Sequence, residues 1–179
     1  MTAVGDVAPG FELPDTDGEP HALRTPAVVI FTCNHCPYAL AWHDRLTDAA
    51  RDYPDVHFYA INPNDAERYP RDSLEAMRER VRGDGGWPLP YLRDESQEVA
   101  RAYGAETTPD LFVVDSGGLV RYRGAPDADH DDPGENAARG ARRGAGRRGR
   151  AAARDRPGRL QRQVAPVIAR IAASVSDRS

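Results

Sequence analysis

The 179-residue sequence contains no lysine and only two cysteines. Two cysteines exclude a zinc site built from four thiolates, and they exclude the dense cross-linking of a small secreted domain. No run approaches the ~20 apolar residues of a membrane helix, and no charged segment leads into an apolar one at the N-terminus. The length is sufficient for one domain with its own core. We therefore expect a soluble, cytoplasmic chain without membrane contacts.

The charge of the chain is distributed unevenly. Residues 1–138 contain 12 arginines and 26 acidic residues, whereas residues 139–179 contain 12 arginines and two acidic residues. Strand and helix patterns occupy the first segment, while the second is rich in arginine, glycine and alanine. We predict that residues 1–138 form the folded domain and that residues 139–179 form a separate tail.

Strand and helix patterns alternate along the first segment. The apolar, β-branched run at 28–32 predicts a strand that is buried on both faces, and apolar residues three and four apart predict a helix over 37–51. Further predicted elements are an N-terminal hairpin around Asp17-Gly18, a strand at 56–61, helices with capping boxes at Asp72 and Asp94, a helix end at Gly104, and a hairpin of strands at 111–114 and 119–123. This order predicts an α/β fold with a mixed central sheet flanked by helices.

Two cysteines separated by two residues lie where the first buried strand meets the first helix. We expect Cys33 just ahead of the helix with its sulfur facing solvent, and Cys36 more sheltered inside the first turn. The thiolate is the reactive form of cysteine, and a helix N-terminus stabilises it. The spacing lets the sulfurs meet, so that Cys33 attacks and Cys36 resolves. A charged His35 would stabilise the thiolate further. Pro37 suits the first turn of the helix, because a backbone N–H at that position has no acceptor within the helix.

Two other interpretations of the cysteine pair stay open. One is an inert structural disulfide, although such bonds are uncommon in cytoplasmic proteins. The other is a metal site shared with His35 and His43. Zinc needs three or four protein ligands, however, and the remaining histidines lie on separate segments without ligand spacing. We favour a reversible dithiol–disulfide couple without a bound metal or organic cofactor.

The order of strand, Cys-x-x-Cys and helix, with Thr108-Pro109 ahead of a later strand, resembles the thioredoxin fold. Other segments resemble the bacterial thioredoxin-like proteins grouped with alkyl hydroperoxide reductase and thiol-specific antioxidant proteins. These segments are Ala8-Pro9-x-Phe11-x-Leu13, Cys33-Asn34-His35-Cys36-Pro37-Tyr38, Asn62-Pro63-Asn64-Asp65, Pro90-Tyr91-Leu92 and Gln97-Glu98-Val99-Ala100. The resemblance extends over residues 3–138.

The resemblance implies a thiol–disulfide oxidoreductase with an antioxidant or disulfide-exchange role. It implies that Pro109 is a cis-proline facing the cysteines, and that Thr108 offers backbone hydrogen bonds to a bound polypeptide or thiol. It also implies that Cys33 attacks, that Cys36 resolves, and that the partners are a thiol, disulfide or peroxide substrate and a cellular thiol reductant. Ala27 stands where thioredoxin has a buried acid, so no proton acceptor for Cys36 is visible.

A thiol peroxidase is the alternative activity within the same family. Peroxiredoxins carry a threonine three residues before their peroxidatic cysteine. In this sequence Thr32 lies one residue before Cys33 and four before Cys36. The peroxiredoxin signature is therefore missing.

The arginine-rich tail has two competing interpretations. Residues 139–159 fit a disordered basic arm that neutralises nucleic-acid phosphates, although no aromatic residue is present to stack on bases. Alternatively, the tail is a frameshift product. Codons for 159–167, followed by the first base of the Ile168 codon, can be chosen that encode Gly-Cys-Ser-Val-Lys-Trp-Arg-Pro and a stop when shifted by one base. This ending is similar to that of the family, and we favour it because glycines interrupt the final helix that the resemblance implies. A redox-inert fold with a nucleic-acid-binding tail is the remaining alternative.

Overall fold

The computed structural model describes residues 1–125, 168–170 and 173. The elements in chain order are β1 (Glu12–Pro14), β2 (Pro20–Ala22), β3 (Ala27–Phe31), α1 (Pro37–Asp52), β4 (His57–Asn62), a 3-10 helix (Pro70–Asp72), α2 (Leu74–Gly83), β5 (Tyr91–Arg93), α3 (Glu98–Tyr103), β6 (Asp110–Val114) and β7 (Val120–Gly124). None of the helices in the described residues has the length and apolar character needed to cross a membrane.

Strand β3 lies at the centre of a five-stranded sheet with the order β5-β4-β3-β6-β7. It runs parallel to β4, which runs parallel to β5, whereas β6 is antiparallel to both β3 and β7. Every residue of β3 is buried, as the continuous apolar run predicted. Strands β1 and β2 pair as a separate antiparallel hairpin. The mixed sheet and the N-terminal hairpin confirm the predicted α/β architecture.

The side chains of β3 alternate between two hydrophobic clusters, one on each face of the sheet. Val28 and Ile30 lie in the cluster to which α1 contributes Trp42 and Leu46. Phe31 lies in the opposite cluster, where Tyr103 of α3 and Phe112 of β6 pack against it in aromatic contacts. Because both faces of the sheet are covered, the end of β3 is held rigidly at the point where the cysteine segment begins.

Two helix starts differ from the predictions. Helix α2 begins after Ser73, whose hydroxyl accepts a hydrogen bond from the Ala76 N–H, so the cap is Ser73 and not Asp72. Helix α3 begins four residues after Asp94, whose side chain is also fully buried. The end of α3 agrees with prediction, since Gly104 terminates it in the left-handed region with φ 71°. Asp72 thus serves the interior, whereas the buried Asp94 side chain accepts a hydrogen bond from the Ala100 N–H in the first turn of α3 at 2.9 Å.

The arginine-rich tail lies almost entirely outside the described residues. The predicted basic arm and the frameshift, which concern residues 139–179, therefore stay predictions. Residues 168–170 are helical, and Ile168 is fully buried in the cluster that includes Trp42 and Leu46. One apolar position of the tail thus packs against the α1 side of the sheet.

Candidate active site

The carboxyl end of β3 leads into the segment that carries both cysteines. Cys36 is the N-cap residue of α1, and Pro37 occupies the first turn of the helix. The N-terminus of α1, where free N–H groups and the helix dipole favour negative charge, therefore lies at the dithiol. This is the arrangement of strand, dithiol and helix that the apolar run and the proline predicted.

Thr108 and Pro109 directly precede β6, the strand antiparallel to β3, and Thr108 contacts the cysteines. The Sγ atom of Cys33 lies 3.2 Å from the Thr108 hydroxyl oxygen. The Cys36 thiol donates a hydrogen bond to the Thr108 carbonyl oxygen at 3.1 Å. The Thr108–Pro109 peptide bond is cis, as the resemblance implied. A single residue therefore contacts both sulfurs, once through its side chain and once through its backbone.

The exposure of the two cysteines is the reverse of the prediction. Cys33, which was expected to face solvent, is fully buried, whereas Cys36, which was expected to be sheltered, is partly exposed. The reason lies in Asn34, whose side chain turns into the protein interior and holds its neighbour Cys33 there. The local sequence at the start of α1 does not show that the Asn34 side chain points into the interior.

Asn34 is fixed by three elements at once. Its side-chain oxygen accepts hydrogen bonds from the Tyr91 hydroxyl at 3.0 Å and from Arg80 at 3.1 Å. Its side-chain nitrogen donates to the Arg71 carbonyl oxygen at 2.8 Å. Arg80 also donates to the Cys33 carbonyl oxygen at 3.3 Å. The first of the two residues between the cysteines is thus a buried anchor, which limits how far the segment can move.

The two thiols titrate as a pair because their sulfurs share a hydrogen bond. That hydrogen bond lowers the pKa of Cys36 to about 5. The backbone N–H groups of Ala39 and Tyr38 also lower this pKa, whereas burial raises it. The hydrogen bond and then burial raise the pKa of Cys33 above the usual thiol range. The pair therefore loses one proton readily and retains the second, so one negative charge is shared at neutral pH.

A fully buried carboxylate also belongs to this site. The Oδ1 atom of Asp72 accepts hydrogen bonds from the Asn34 N–H at 2.6 Å and from the Asn62 amide at 3.2 Å. Its Oδ2 atom accepts from the Asn64 amide at 3.0 Å and from His35 Nδ1 at 2.5 Å. Burial alone would raise the pKa of Asp72, but these hydrogen bonds outweigh burial and lower it. Asp72 is therefore ionised at neutral pH and binds both residues that separate the cysteines.

Sequence reasoning missed Asp72, which it placed at a helix cap. The carboxylate lies in the 3-10 helix after β4, far along the chain from Cys33. A hint was present in Asn62 and Asn64 of the segment that carried the resemblance, because buried amides need acceptors. No local pattern, however, links those asparagines to this particular acid.

His35 lies at the edge of the site and is less free than predicted. Its side chain is 31% exposed, its Nδ1 atom contacts Asp72, and its ring stacks on Tyr69 with centroids 4.5 Å apart and planes 8° apart. The ring is therefore held by a hydrogen bond at one edge and by an aromatic face. An exposed, unattached histidine was the expectation, and the contacts from the 3-10 helix region explain the difference.

A metal site is poorly supported by the geometry of the described residues. Cys33, His35 and Asp72 each bring one donor atom to within 4.8 Å of the others. An ion between His35 and Asp72 would first have to separate atoms that are 2.5 Å apart and directly hydrogen-bonded. His43, the other predicted ligand, instead lies 3.5 Å from Asp84. The arrangement fits a hydrogen-bonded network around a dithiol.

A cavity of about 300 Å³ opens beside the dithiol. Its lining combines apolar and polar groups, among which are Phe31, His35, Tyr69, Arg101 and Thr108. Neither cysteine lines the cavity, but Thr108, which does, contacts both sulfurs. The cavity is therefore separated from the cysteine pair by one residue.

The chain is similar in sequence and structure to known proteins. The model of the AhpC/TSA family matches residues 4–123. The solved structure of an uncharacterized conserved protein from Geobacillus kaustophilus is 41% identical, with a TM-score of 0.68, and the match covers 74% of each chain. The thioredoxin domain of a thiol-disulfide oxidoreductase from Bacteroides vulgatus is 16% identical, with a TM-score of 0.57 over 80% of this chain and 98% of that chain.

A curated relative is the thiol-disulfide oxidoreductase ResA of Geobacillus thermodenitrificans (strain NG80-2). It is 28% identical over 126 residues, which are 66% of this chain and 67% of that protein. The five-stranded mixed sheet, the flanking helices and the structural matches together define a thioredoxin-like fold. The chain belongs to the AhpC/TSA family, as the motifs in its sequence indicated.

Proposed function

We propose that this protein is a thiol–disulfide oxidoreductase in which Cys33 and Cys36 cycle between dithiol and disulfide. The observation that carries the proposal is the pair of cysteine sulfurs at the N-terminus of α1, both in contact with Thr108. The lowered pKa of Cys36 keeps one negative charge on the pair at neutral pH, and a thiolate is what thiol exchange requires. The activity named for the ResA relative points the same way.

The exchange proceeds in two steps. The Cys33 thiolate attacks one sulfur of a substrate disulfide and expels the other as a thiolate, which leaves a mixed disulfide on Cys33. Cys36 then attacks Cys33, closes the intramolecular disulfide and releases the second substrate thiol. Two electrons pass from the protein to the substrate, and a cellular thiol returns two electrons to the protein. With a peroxide as the oxidant, the same couple would serve an antioxidant role.

The division of labour between the cysteines follows the family resemblance. The lowered pKa of Cys36 places the charge of the resting pair on Cys36. Cys33 therefore attacks after its proton has moved to Cys36, where the Thr108 carbonyl accepts a hydrogen bond from the thiol. The burial of Cys33 adds a requirement, because its sulfur must be uncovered before a substrate reaches it. Thr108 would then offer its hydroxyl and backbone to the substrate that replaces these contacts.

Trapping of a mixed disulfide tests this proposal. The reduced protein is mixed with bis(2-hydroxyethyl) disulfide, and intact mass and released thiol are measured for the wild type, Cys33→Ser, Cys36→Ser and the double variant. We expect two thiols released per wild-type chain, a trapped adduct in Cys36→Ser, and no reaction in the double variant. An adduct in Cys33→Ser alone would exchange the roles of the cysteines. A wild-type protein that releases no thiol would refute the function.

Hydrogen peroxide provides the second arm of this experiment. Oxidation of the wild-type pair at a rate no faster than that of a free thiol would exclude a peroxidase role. A rate several orders of magnitude faster would favour the peroxide-linked activity. Stopped-flow fluorescence of the tryptophans gives that rate directly.

A further inference from the structure

The buried carboxylate of Asp72 holds the histidine that lies between the two cysteines. Three of the four groups that donate to it are amides of Asn34, Asn62 and Asn64, which do not exchange protons near neutral pH. The fourth is His35. Histidine is the side chain that ordinarily gains and loses a proton in this range. The network therefore presents one exchangeable proton, and it lies beside the cysteines.

The carboxylate determines which nitrogen of His35 is available. Because the pKa of Asp72 is lowered, the ionised carboxylate only accepts, so Nδ1 carries a hydrogen. Proton exchange is thereby left to Nε2. The stacking on Tyr69 fixes the plane of the ring, and His35 lines the same cavity as Thr108. A carboxylate that fixes the tautomer of a histidine in this way is a recurring device for proton transfer.

Other charged or titratable groups face this pair. They are Cys33 and Cys36 in the same segment, Tyr69 before and Arg71 within the 3-10 helix, Arg80 in α2, Tyr91 and Arg93 in β5, and Arg101 and Glu106 at the cavity wall. Arg80 and Arg93 donate to carbonyl or amide oxygens of the network. Burial raises the pKa of Tyr91.

We propose that Asp72 positions His35 to protonate the thiolate that leaves the substrate disulfide. This inference rests on the proposed function and assigns the proton that the exchange needs. The Cys33 thiolate forms the new S–S bond, the substrate S–S bond breaks, and the departing thiolate takes the Nε2 proton of the imidazolium. In the second step the proton of Cys36 neutralises the second thiolate. One protein thiolate, one thiol and one imidazolium thus yield a disulfide, a neutral imidazole and two substrate thiols.

The leaving group of the substrate separates proton transfer from a structural role. An aromatic disulfide such as 5,5′-dithiobis(2-nitrobenzoic acid) expels a stable thiolate that needs no proton. Bis(2-hydroxyethyl) disulfide expels a basic alkyl thiolate that does. Loss of a general acid slows only the second reaction, whereas a disordered segment slows both equally.

The experiment compares second-order rate constants of the reduced protein with both disulfides between pH 5 and 9. We expect His35→Ala to react about 100-fold more slowly with the alkyl disulfide and within about threefold of wild type with the aromatic one. Asp72→Asn should show the same selectivity with a smaller loss of about tenfold. His43→Ala, which removes an imidazole that contacts Asp84 instead, is the matched control and should leave both rates unchanged.

The outcomes distinguish proton transfer by His35 from a purely structural role of Asp72. A selective loss that imidazole in the buffer partly restores to His35→Ala supports the proposal. Equal losses with both disulfides, or no loss, overturn it and leave Asp72 a structural anchor. If Asp72→Asn does not fold, His35→Ala alone decides, because its side chain is partly exposed. A wild-type protein inert toward both disulfides would instead refute the oxidoreductase function itself.

Discussion

Substitution of Asp72 by asparagine measures how strongly the buried carboxylate holds the active-site segment. An amide of the same shape retains one oxygen, which can still accept the two hydrogen bonds on its side. Its NH₂ group faces the other two donors, which lose their acceptor. Each buried donor without a partner costs about 1–3 kcal/mol, so the expected loss is about 4 kcal/mol. That loss is a large share of the ~5–15 kcal/mol that stabilises a typical domain.

Urea unfolding of the reduced protein is the appropriate assay. The midpoint should fall while the slope with denaturant stays constant, because the surface exposed on unfolding does not change. Asp48→Asn is the matched control, since its side chain is 52% exposed and makes one ion pair with Arg51 at 2.8 Å. That variant should lose less than about 1 kcal/mol. A loss for Asp72→Asn as small as that of the control would refute the reasoning.

The pH dependence of stability provides an independent check on Asp72. Its pKa in the folded protein is lowered by the hydrogen bonds that overcome burial. A lowered pKa contributes stability that is fully present above the unfolded value of ~3.9 and is lost as the pH falls through the folded value. The free energy of unfolding should therefore drop more steeply below pH 4 in the wild type than in Asp72→Asn. Parallel curves would show that the carboxylate is not selectively stabilised by folding.

Two further predictions concern the thiols and the end of α3. Thiolate absorbance at 240 nm should show its first inflection near pH 5 and lose it in Cys36→Ser, whereas a first inflection near the ordinary ~8.5 would contradict the shared hydrogen bond. Gly104→Ala should lower the melting temperature at a cost of about 1–3 kcal/mol, because φ is +71° and the new Cβ would lie 3.0 Å from Met1 Cα. Gly83→Ala, where nothing lies within 4 Å, should not destabilise; equal effects of the two changes would argue against strain at Gly104.

The fold was predictable wherever a local pattern decides the structure. The apolar run that became β3, the proline at the start of α1 and the glycine after α3 each act within a few residues. The five-stranded sheet followed from their order and from the family resemblance. The position of the cysteines at the junction of β3 and α1 was predictable for the same reason.

The polar interior of the site was not predictable in this way. Asp72 has donors at positions 34, 35, 62 and 64, and only the folded sheet brings them together. A capping-box pattern examines a window of four residues, so it assigned this acid to a helix end. The inward turn of Asn34 depends on Tyr91 and Arg80, which lie on β5 and α2, and it reversed the exposure of the cysteines. Local sequence patterns do not predict hydrogen bonds between residues that are far apart in the chain.

The central claim is that Cys33 and Cys36 form a reversible redox couple. The most direct measurement is intact mass after alkylation, with the full chain equilibrated across a series of glutathione buffers. The account predicts a reversible loss of two hydrogens confined to Cys33 and Cys36, absent from either single serine variant, with one midpoint potential. A protein that stays fully alkylatable throughout the series, or that forms only glutathione adducts, would contradict it.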